Sequence, residues 1–169
     1  MQRTIAVALI GAMGWACADA DQLATRTPEP ETEEQLIARA LEIHGRVLTI
    51  DTHDDIPFNF STEEVDPGLR GERQVDLPKM REGGLDVAFF IVYVGQTART
   101  PENYDKAKAD AMTKFDAIHR MAEEMYPEQI EIAYTADDVE RIAADGKLVA
   151  AIGIENGYVI VTDLSLLKT

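Results

Sequence analysis

The sequence predicts an α/β fold built on a parallel β-sheet. Two apolar runs, residues 87–94 and 148–154, show no alternation of apolar and polar side chains. Such runs are typical of strands that are buried on both faces of a parallel sheet. Segments with helical spacing of apolar residues lie before and between these runs. Because strands that alternate with helices form parallel sheets, the order of the elements indicates the α/β class.

The first elements are a helix and a short strand. Leu36, Ile37, Ala40 and Leu41 lie at helical spacing and predict an amphipathic helix over residues 33–46. Residues 47–51 are rich in strand-forming side chains and predict the first strand. Prolines and glycines recur through residues 57–80, and this stretch is therefore predicted to be a long loop, a kind of segment that often carries function.

The later elements have clearer boundaries. Residues 87–94 form the next predicted strand, and Thr100 followed by Pro101 is a typical helix start, which opens a helical pattern over 101–125. A short strand is predicted over 130–134. Thr135 and Asp138 resemble a capping box at the start of a helix over 136–144, which Gly146 ends. Residues 148–154 then form another buried strand.

The N-terminus is predicted to be an export signal over residues 1–20. A single basic residue, Arg3, precedes the uncharged stretch 5–16, and small residues around position 18 fit a signal-peptidase site. Residues 21–34 are polar and proline-containing and predict a linker, so that 35–169 forms the folded part. Cys17 is the single cysteine and sits where a bacterial lipoprotein would be cleaved, which leaves lipid anchoring open beside loss with the signal. The expected location is outside the cytoplasm of a bacterium: periplasmic, secreted or lipid-anchored.

The charge balance excludes two classes of partner. The formal net charge is −15 and the pI about 4.5. Nucleic-acid binding depends mainly on Lys and Arg side chains at phosphates, so no nucleic-acid partner is expected. Polybasic attachment to anionic lipid is excluded on the same ground.

Two short clusters carry the candidate chemistry. Residues 51–55 read Asp-Thr-His-Asp-Asp, and residues 153–157 read Gly-Ile-Glu-Asn-Gly; each is interpreted as following an apolar strand-like run. Side chains two residues apart on a strand point the same way, so His53 and Asp55 can close on one metal ion, with Glu155 as a third ligand from another strand. The spacing by itself leaves a second interpretation open, in which His53 is structural and the carboxylates are solvated in a loop.

The chain resembles the membrane dipeptidase (renal dipeptidase) family of zinc peptidases, of which it matches an N-terminal portion. The resemblance begins with Asp-Thr-His-Asp-Asp-Ile-Pro at 51–57 and continues through Val-Asp-Leu-Pro-Lys-Met-Arg-Glu-Gly-Gly at 75–84. It extends along 89–94, 118–120 and 133–138 and ends with Ile-Gly-Ile-Glu-Asn-Gly at 152–157. Several motifs in one order, over about residues 35 to 169, make the resemblance specific.

The resemblance implies a TIM-type (β/α)8 barrel of the metal-dependent hydrolase type, here partial. It also implies two zinc ions: His53 and Asp55 bind the first, and Glu155 bridges both. The implied reaction is hydrolysis of dipeptides by a metal-activated hydroxide, often with a D-residue at the C-terminal position. The full-length family implies a homodimer as well.

The chain departs from the family at its C-terminal side. The second zinc and the substrate require histidines, an arginine and an aspartate that the family places further along, whereas the histidines here are His44, His53 and His119. His44 precedes the first strand and His119 lies within a predicted helix, so both are expected to be structural or surface residues. We therefore expect one incomplete zinc site, substrate-binding residues beyond Thr169, and an N-terminal fragment that is inactive alone. The alternatives are a non-catalytic half-barrel with a metal- or partner-binding role and, less favoured by the acidic cluster, an exported binding lipoprotein.

Overall fold

The structure, a computed structural model, describes residues 30–161 and 164–168. The predicted export signal, Cys17 and most of the predicted linker lie outside the described residues. The fold is α/β, as predicted. The elements in chain order are α1 (Glu33–His44), β1 (Ile50–Asp55), α2 (Leu77–Gly83), β2 (Val87–Tyr93), α3 (Pro101–His119), a π-helical turn (Arg120–Met125), β3 (Ile130–Ile132), α4 (Ala136–Ala144), β4 (Leu148–Glu155) and a 3₁₀ helix (Leu164–Lys168).

The four strands form one parallel sheet in the order β1-β2-β4-β3. β2 pairs with β4 along its whole length, from Val87 opposite Val149 to Tyr93 opposite Glu155. β3 pairs only with the first three residues of β4, Leu148 to Ala150. The carboxyl ends of β1, β2 and β4 therefore lie along one edge of the sheet, and this edge carries the predicted chemical clusters.

Helices cover both faces of the sheet. Side chains alternate between the faces of a strand, and Phe90, Val92 and Ala150 belong to the main core with Ile118 of α3. Val87 and Val149 point the other way and pack against Ile142 of α4 in a second cluster. The site residues Asp55 and Glu155 pair with Ile91 and Tyr93, so they lie on the α4 face at the opposite end of the strands.

Helix caps explain most of the boundaries. The Thr100 side chain accepts a hydrogen bond from the Asn103 N–H with Pro101 at the first helical position, as predicted. The predicted capping box of α4 is present in both directions, between Thr135 and Asp138. The helical pattern of 101–125 ends in a π-helical turn rather than in an α-helix.

Two boundary predictions are wrong. β1 begins at Ile50 rather than at Val47, so the acidic cluster 51–55 is the strand itself and does not follow it. The predicted loop 57–80 ends early, because α2 begins at Leu77. Asp76 caps this helix by accepting from the Lys79 N–H, and Pro78 lies in the first turn, where its missing N–H costs nothing.

The predicted helix α1 forms, and it begins at Glu33, inside the predicted linker. No residue of α1 is buried, and Leu36, Ile37 and Leu41 are exposed. His44 anchors its end, because its Nε2 donates to the Gly83 and Gly84 carbonyls at 3.1 and 3.0 Å. No helix within 30–161 or 164–168 combines the length and apolarity that a membrane crossing requires.

The π-helical turn holds the loop after β1 against α3. Arg120 donates to the Ser61 carbonyl at 2.8 Å. The Tyr126 hydroxyl donates to Asp66 at 2.5 Å, and this hydrogen bond, with burial as a smaller cause, raises the pKa of Tyr126 to about 12. Gly68 lies directly under the tyrosine ring, where an added Cβ would lie 2.0 Å from the Tyr126 ring.

Candidate metal centre

The structure brings His53, Asp55 and Glu155 together at the carboxyl edge of the sheet. His53 Nε2 lies 3.8 Å from Asp55 Oδ2 and 3.4 Å from Glu155 Oε2. One ligand atom from each residue lies within 4.8 Å of the other two. β1 and β4 are not neighbours, because β2 lies between them. The three side chains, which we call the ligand group, therefore meet across β2, on the face of the sheet that carries Ile91 and Tyr93.

An irregularity in β1 prepares this arrangement. The register shifts between Asp51, which is opposite Ala88, and Asp54, which is opposite Phe90. Extra residues of this kind bend a strand and are common beside active sites. The Asp51 carboxylate accepts a hydrogen bond from the His53 N–H at 2.9 Å and so supports the main chain of this bulge. Asp51 therefore has a structural role, because its side chain binds the main chain of the strand.

The geometry of the ligand group fits zinc. Zinc binds histidine nitrogen and carboxylate oxygen at about 2.0–2.2 Å in tetrahedral sites. Two ligand atoms at that distance and angle lie about 3.4 Å apart; the His53–Glu155 distance is 3.4 Å, and the His53–Asp55 distance is wider, at 3.8 Å. The side chains are 51, 62 and 43% exposed for His53, Asp55 and Glu155, so an ion and further ligands have access. The imidazole and carboxylate donors also suit zinc by type.

Asp54 faces away from the ligand group and has a different environment. It pairs in register with Phe90, whose side chain is in the main core. Burial is the largest cause that raises the pKa of Asp54 to about 6, and the nearby Asp51 carboxylate adds to it. The side chains of Asp54 and Asp55 therefore lie on opposite faces of the sheet, and Asp55 is the one that belongs to the ligand group.

Lys114 was not predicted as a site residue. It comes from α3, is only 5% exposed, and places its Nζ 5.1 Å from the centre of the Phe58 ring and 6.0 Å from that of Tyr93. Burial lowers the pKa of Lys114, while the Asp55 and Glu155 carboxylates act in the opposite direction. A cation therefore lies close enough to the ligand group to offset part of its negative charge. Lys114 lies three residues after Ala111, on the buried face of α3. This helical spacing is the sequence signal that could have identified Lys114 as a buried residue.

The loop before α2 borders the site as well. Arg73 Nη2 lies 3.5 Å from the main-chain oxygen of Asp55. The Lys79 ammonium donates to the Arg73 and Gly71 carbonyls and lies 3.0 Å from Asp76 Oδ2. Asp76, 5% exposed, also accepts from the Gly71 and Lys79 N–H groups. This buried carboxylate therefore fixes the loop that carries Arg73.

The other two histidines lie elsewhere, as expected. His44 joins the end of α1 to the end of α2, and His119 Nδ1 contacts Glu123 Oε1 at 2.8 Å at the end of α3. Within the described part of the chain, the ligand group is the one set of three metal-binding side chains that comes together. That these residues bind an ion stays a prediction.

Comparison with known protein families shows a match over most of the chain. Residues 37–169 match the family described as membrane dipeptidase (peptidase family M19). "Dipeptidase ataJ" of Aspergillus terreus is 28% identical over 144 residues, which are 78% of this chain and 34% of that protein. "Dipeptidase 3" of Mus musculus is 28% identical over 145 residues, 82% of this chain and 27% of that protein.

Solved structures show the same similarity. The crystal structure of the probable dipeptidase PvdM from Pseudomonas aeruginosa superposes with a TM-score of 0.74 at 27% identity, covering 81% of this chain and 35% of that one. The metallopeptidase dipeptidase AC has a TM-score of 0.57 at 23% identity and covers 72% of this chain and 39% of that one, which shows a shared fold. The chain spans about a third of the length of the relatives it matches.

Proposed function

The chain belongs to the membrane dipeptidase family, peptidase family M19, and from this premise we propose that it is part of a zinc-dependent hydrolase of dipeptides. The observation that carries the proposal is the ligand group. An imidazole and two carboxylates from strands that are not neighbours come within 4.8 Å of one another. Exposed acidic groups are common, but this combination at the carboxyl edge of a parallel sheet is where α/β enzymes build active sites.

We further propose that the sheet is part of a (β/α)8 barrel. In such a barrel each strand lies beside the next, whereas here β2 pairs with β4. The barrel strands would then be β1, β2 and β4, with the three-residue β3 as an addition at the edge. β3 covers only the first residues of β4, so the edge of β4 near Glu155 has no neighbour among the described strands. A further barrel strand fits that edge.

His53, Asp55 and Glu155 would hold the zinc ion in this proposal. When bound, zinc supplies Lewis-acid polarisation of the scissile carbonyl and lowers the pKa of water. The bulge in β1 holds the His53 main chain, and Lys114 offsets part of the negative charge of the two carboxylates. A set of three protein ligands would leave room for a water molecule or substrate on the ion, which is the pattern of catalytic rather than structural zinc sites.

We propose that the 169-residue chain by itself does not hydrolyse dipeptides measurably. The ligand side chains are between 43 and 62% exposed, so water has free access to the site. The described residues bring together no second group of metal ligands near the first. A loosely oriented substrate, displaced by about 1 Å, loses about a hundredfold in rate. The remaining alternative is a chain that binds metal without catalysis.

The test combines metal binding with a dipeptidase assay. The chain is incubated with zinc and an alanyl-D-alanine dipeptide, beside Glu155→Gln, and free amino acid is measured. We expect zinc binding that depends on Glu155 and no turnover. Turnover that disappears in Glu155→Gln would overturn the proposed inactivity of the chain, and absence of zinc binding would overturn the proposed metal site.

Separately, we propose export through residues 1–20, supported by the uncharged stretch after Arg3. A lipid anchor at Cys17 remains a proposal from the lipoprotein-like position of that cysteine, and a homodimer remains a proposal from the family resemblance. N-terminal sequencing and mass spectrometry of the product from a bacterial host test the cleavage site and the anchor.

A further inference from the structure

α1 presents an apolar surface that the described part of the chain does not cover. Its apolar side chains lie at helical spacing along one side of the helix, and no residue of α1 is buried. An amphipathic helix is normally stabilised by burying such a side against another element. The residues of this surface, which we call the α1 face, are between 43 and 66% exposed: Leu36, Ile37, Leu41 and Ile43 of the helix, and Val47 and Leu48 directly after it.

α1 is joined to the rest of the fold at its C-terminal end. His44 Nε2 lies 3.1 and 3.0 Å from the Gly83 and Gly84 carbonyl oxygens, and residues 45–49 lead directly into β1. The first turn, with Glu33 and Glu34, is at the other end of a helix of 12 residues, about 18 Å away along the axis. The helix is therefore anchored at one end and uncovered along its length.

The size of the α1 face fits a dimer interface. Its aliphatic residues, each about half exposed, present on the order of 500 Å², which exceeds the few hundred Å² that a monomer usually exposes in one patch. Two such faces packed together would bury about 1,000 Å², and a polar rim of about a third of the area brings the interface to about 1,500 Å². Stable protein–protein interfaces bury about 1,200–2,000 Å² in total. A second copy of this chain therefore supplies enough area to cover the face.

The charges of α1 favour an antiparallel arrangement of the two helices. Glu33 and Glu34 are in the first turn, whereas Arg46 follows the last turn with a side chain that is 66% exposed. The contact of Arg46 within the chain is an exposed ion pair with Glu42 at 3.7 Å, which contributes little. Antiparallel packing places the acidic end of each helix beside the partner's Arg46 and sets the two helix dipoles against each other. Parallel packing would instead bring like charges together.

The attachment of α1 favours the same arrangement. Each helix joins its own fold at the C-terminal end. An antiparallel pair therefore holds the two folds at opposite ends of the helices, and a parallel pair would bring them side by side. Because each chain has a net charge of −15, separation of the two folds reduces their mutual repulsion.

We propose that the α1 face is an interface through which two copies of this chain pair, with their α1 helices antiparallel. The inference assigns the contact to one surface of this chain, independently of the homodimer that the family resemblance implies. It is also independent of the dipeptidase proposal, because α1 contains no residue of the ligand group.

Sedimentation equilibrium of the 169-residue chain, at about 5 to 200 µM, tests the pairing. We expect a dimer with a dissociation constant in the micromolar range or tighter, as interfaces of this size show. Leu41→Glu is the decisive variant, because Leu41 is 66% exposed and glutamate is a good helix former, so the monomer keeps its fold. Met112→Glu is the matched control, at a residue of α3 that is 55% exposed. We expect Leu41→Glu to weaken the dimer at least about tenfold and Met112→Glu to leave it unchanged.

A charge exchange tests the direction of packing. Glu34→Arg should weaken the dimer by about three- to fivefold, because it faces the partner's Arg46 in the antiparallel pair. The double variant Glu34→Arg with Arg46→Glu should restore the parent affinity. In a parallel pair each of these residues would face its own copy, so the exchange would restore nothing. No effect of Glu34→Arg, or no restoration by the double variant, overturns the antiparallel arrangement.

The remaining outcomes overturn the inference or separate it from the metal site. A parent chain that stays monomeric up to about 200 µM, or a dimer that is equally strong in Leu41→Glu, overturns the pairing. A monomeric chain that sediments with phosphatidylcholine vesicles, but not as Leu41→Glu, assigns the α1 face to a lipid surface and also overturns it. Leu41→Glu should bind zinc as the parent chain does, so a dimer without zinc binding leaves the pairing intact while the dipeptidase proposal fails.

Discussion

Replacing Asp76 should destabilise the chain more than replacing any exposed acid of the same loop. The Asp76 carboxylate is 5% exposed and accepts from the Lys79 N–H at 2.8 Å, from the Gly71 N–H at 3.0 Å, and from the Lys79 ammonium at 3.0 Å. Loss of a helix cap costs about 1 kcal/mol, and loss of hydrogen bonds to a charged group adds about 1.5–3 kcal/mol. We expect Asp76→Ala to lose about 3 kcal/mol of unfolding free energy.

A second substitution, Asp76→Asn, separates the contribution of the helix cap from the contribution of the charge. Asn is also a good capping residue, so Asp76→Asn keeps the acceptor for the Lys79 N–H but loses the ion pair. It should lose about 2 kcal/mol, because the contacts from the Gly71 N–H and the Lys79 ammonium to the second carboxylate oxygen are lost. Urea unfolding followed by circular dichroism measures both variants, with the midpoint and slope giving the free energy. Glu72→Ala is the control, because Glu72 is exposed in the same loop. A loss for Asp76→Ala within about 0.5 kcal/mol of the control would refute the argument.

Asp76 also predicts a dependence of stability on pH. Burial alone raises its pKa, but the hydrogen bonds from Gly71 and Lys79 outweigh burial, so the pKa of Asp76 is lowered below 3.8. A carboxylate with a lower pKa in the folded state stabilises the fold above its unfolded pKa. This contribution is lost as the pH falls below 3.8 through the folded value. The difference between the parent chain and Asp76→Asn should shrink over that window, and a constant difference would contradict the assignment.

Three further substitutions test other contacts. Tyr126→Phe should reduce the loss of unfolding free energy at alkaline pH. The pKa of Tyr126 is about 12 in the fold against an ordinary 10.0, so the parent chain loses stability as the pH rises above 10.0. Urea unfolding at several pH values checks this. Gly68→Ala should lower the free energy of unfolding by more than about 2 kcal/mol in thermal unfolding, because the new Cβ would overlap the Tyr126 ring. Gly71→Ala is the control and should be tolerated, because an added Cβ there has nothing within 4 Å. Lys114→Met should bind zinc more tightly by calorimetry, by on the order of 1 kcal/mol, because it removes a cation beside the ligand group; unchanged or weaker binding would contradict that electrostatic role.

The sequence was most informative where local physics decides the structure. The helix starts at Thr100 and Thr135 were predicted because capping is a local interaction between residues three apart. The buried strand β2 was predicted because a short continuous apolar run is typical of a strand that is buried on both faces of a parallel sheet. α2 was missed although Asp76 and Pro78 form a typical helix start, since the prolines and glycines before them favoured a loop.

The three side chains of the candidate site were predicted to come together, and they do, but the surroundings of the site were not predictable. His53, Asp55 and Glu155 follow from motif and spacing, but the order of the strands depends on tertiary pairing, which the sequence pattern does not contain. The shifted start of β1 and its bulge have the same origin, because pairing with β2 extends the strand through acidic residues of low strand propensity. Lys114 was missed because a lysine in a long helix is usually solvated, whereas α3 buries it.

The export signal and the lipid anchor stay predictions, because residues 1–20 lie outside the described part of the chain. The zinc assignment also stays a prediction, and its support is the distances within the ligand group. These two questions need separate experiments, since neither outcome depends on the other.

Isothermal titration of the 169-residue chain with zinc tests the central claim most directly. Glu155→Gln keeps the size of the side chain and removes its charge, and Glu128→Gln is the matched control at an exposed acid in the turn before β3. We expect one zinc ion per chain, a loss of at least about tenfold in affinity for Glu155→Gln, corresponding to about 1.4 kcal/mol, and unchanged binding for Glu128→Gln. Zinc binding that is equally strong in all three proteins would contradict the assignment of Glu155, and no zinc binding by the parent chain would contradict the site itself.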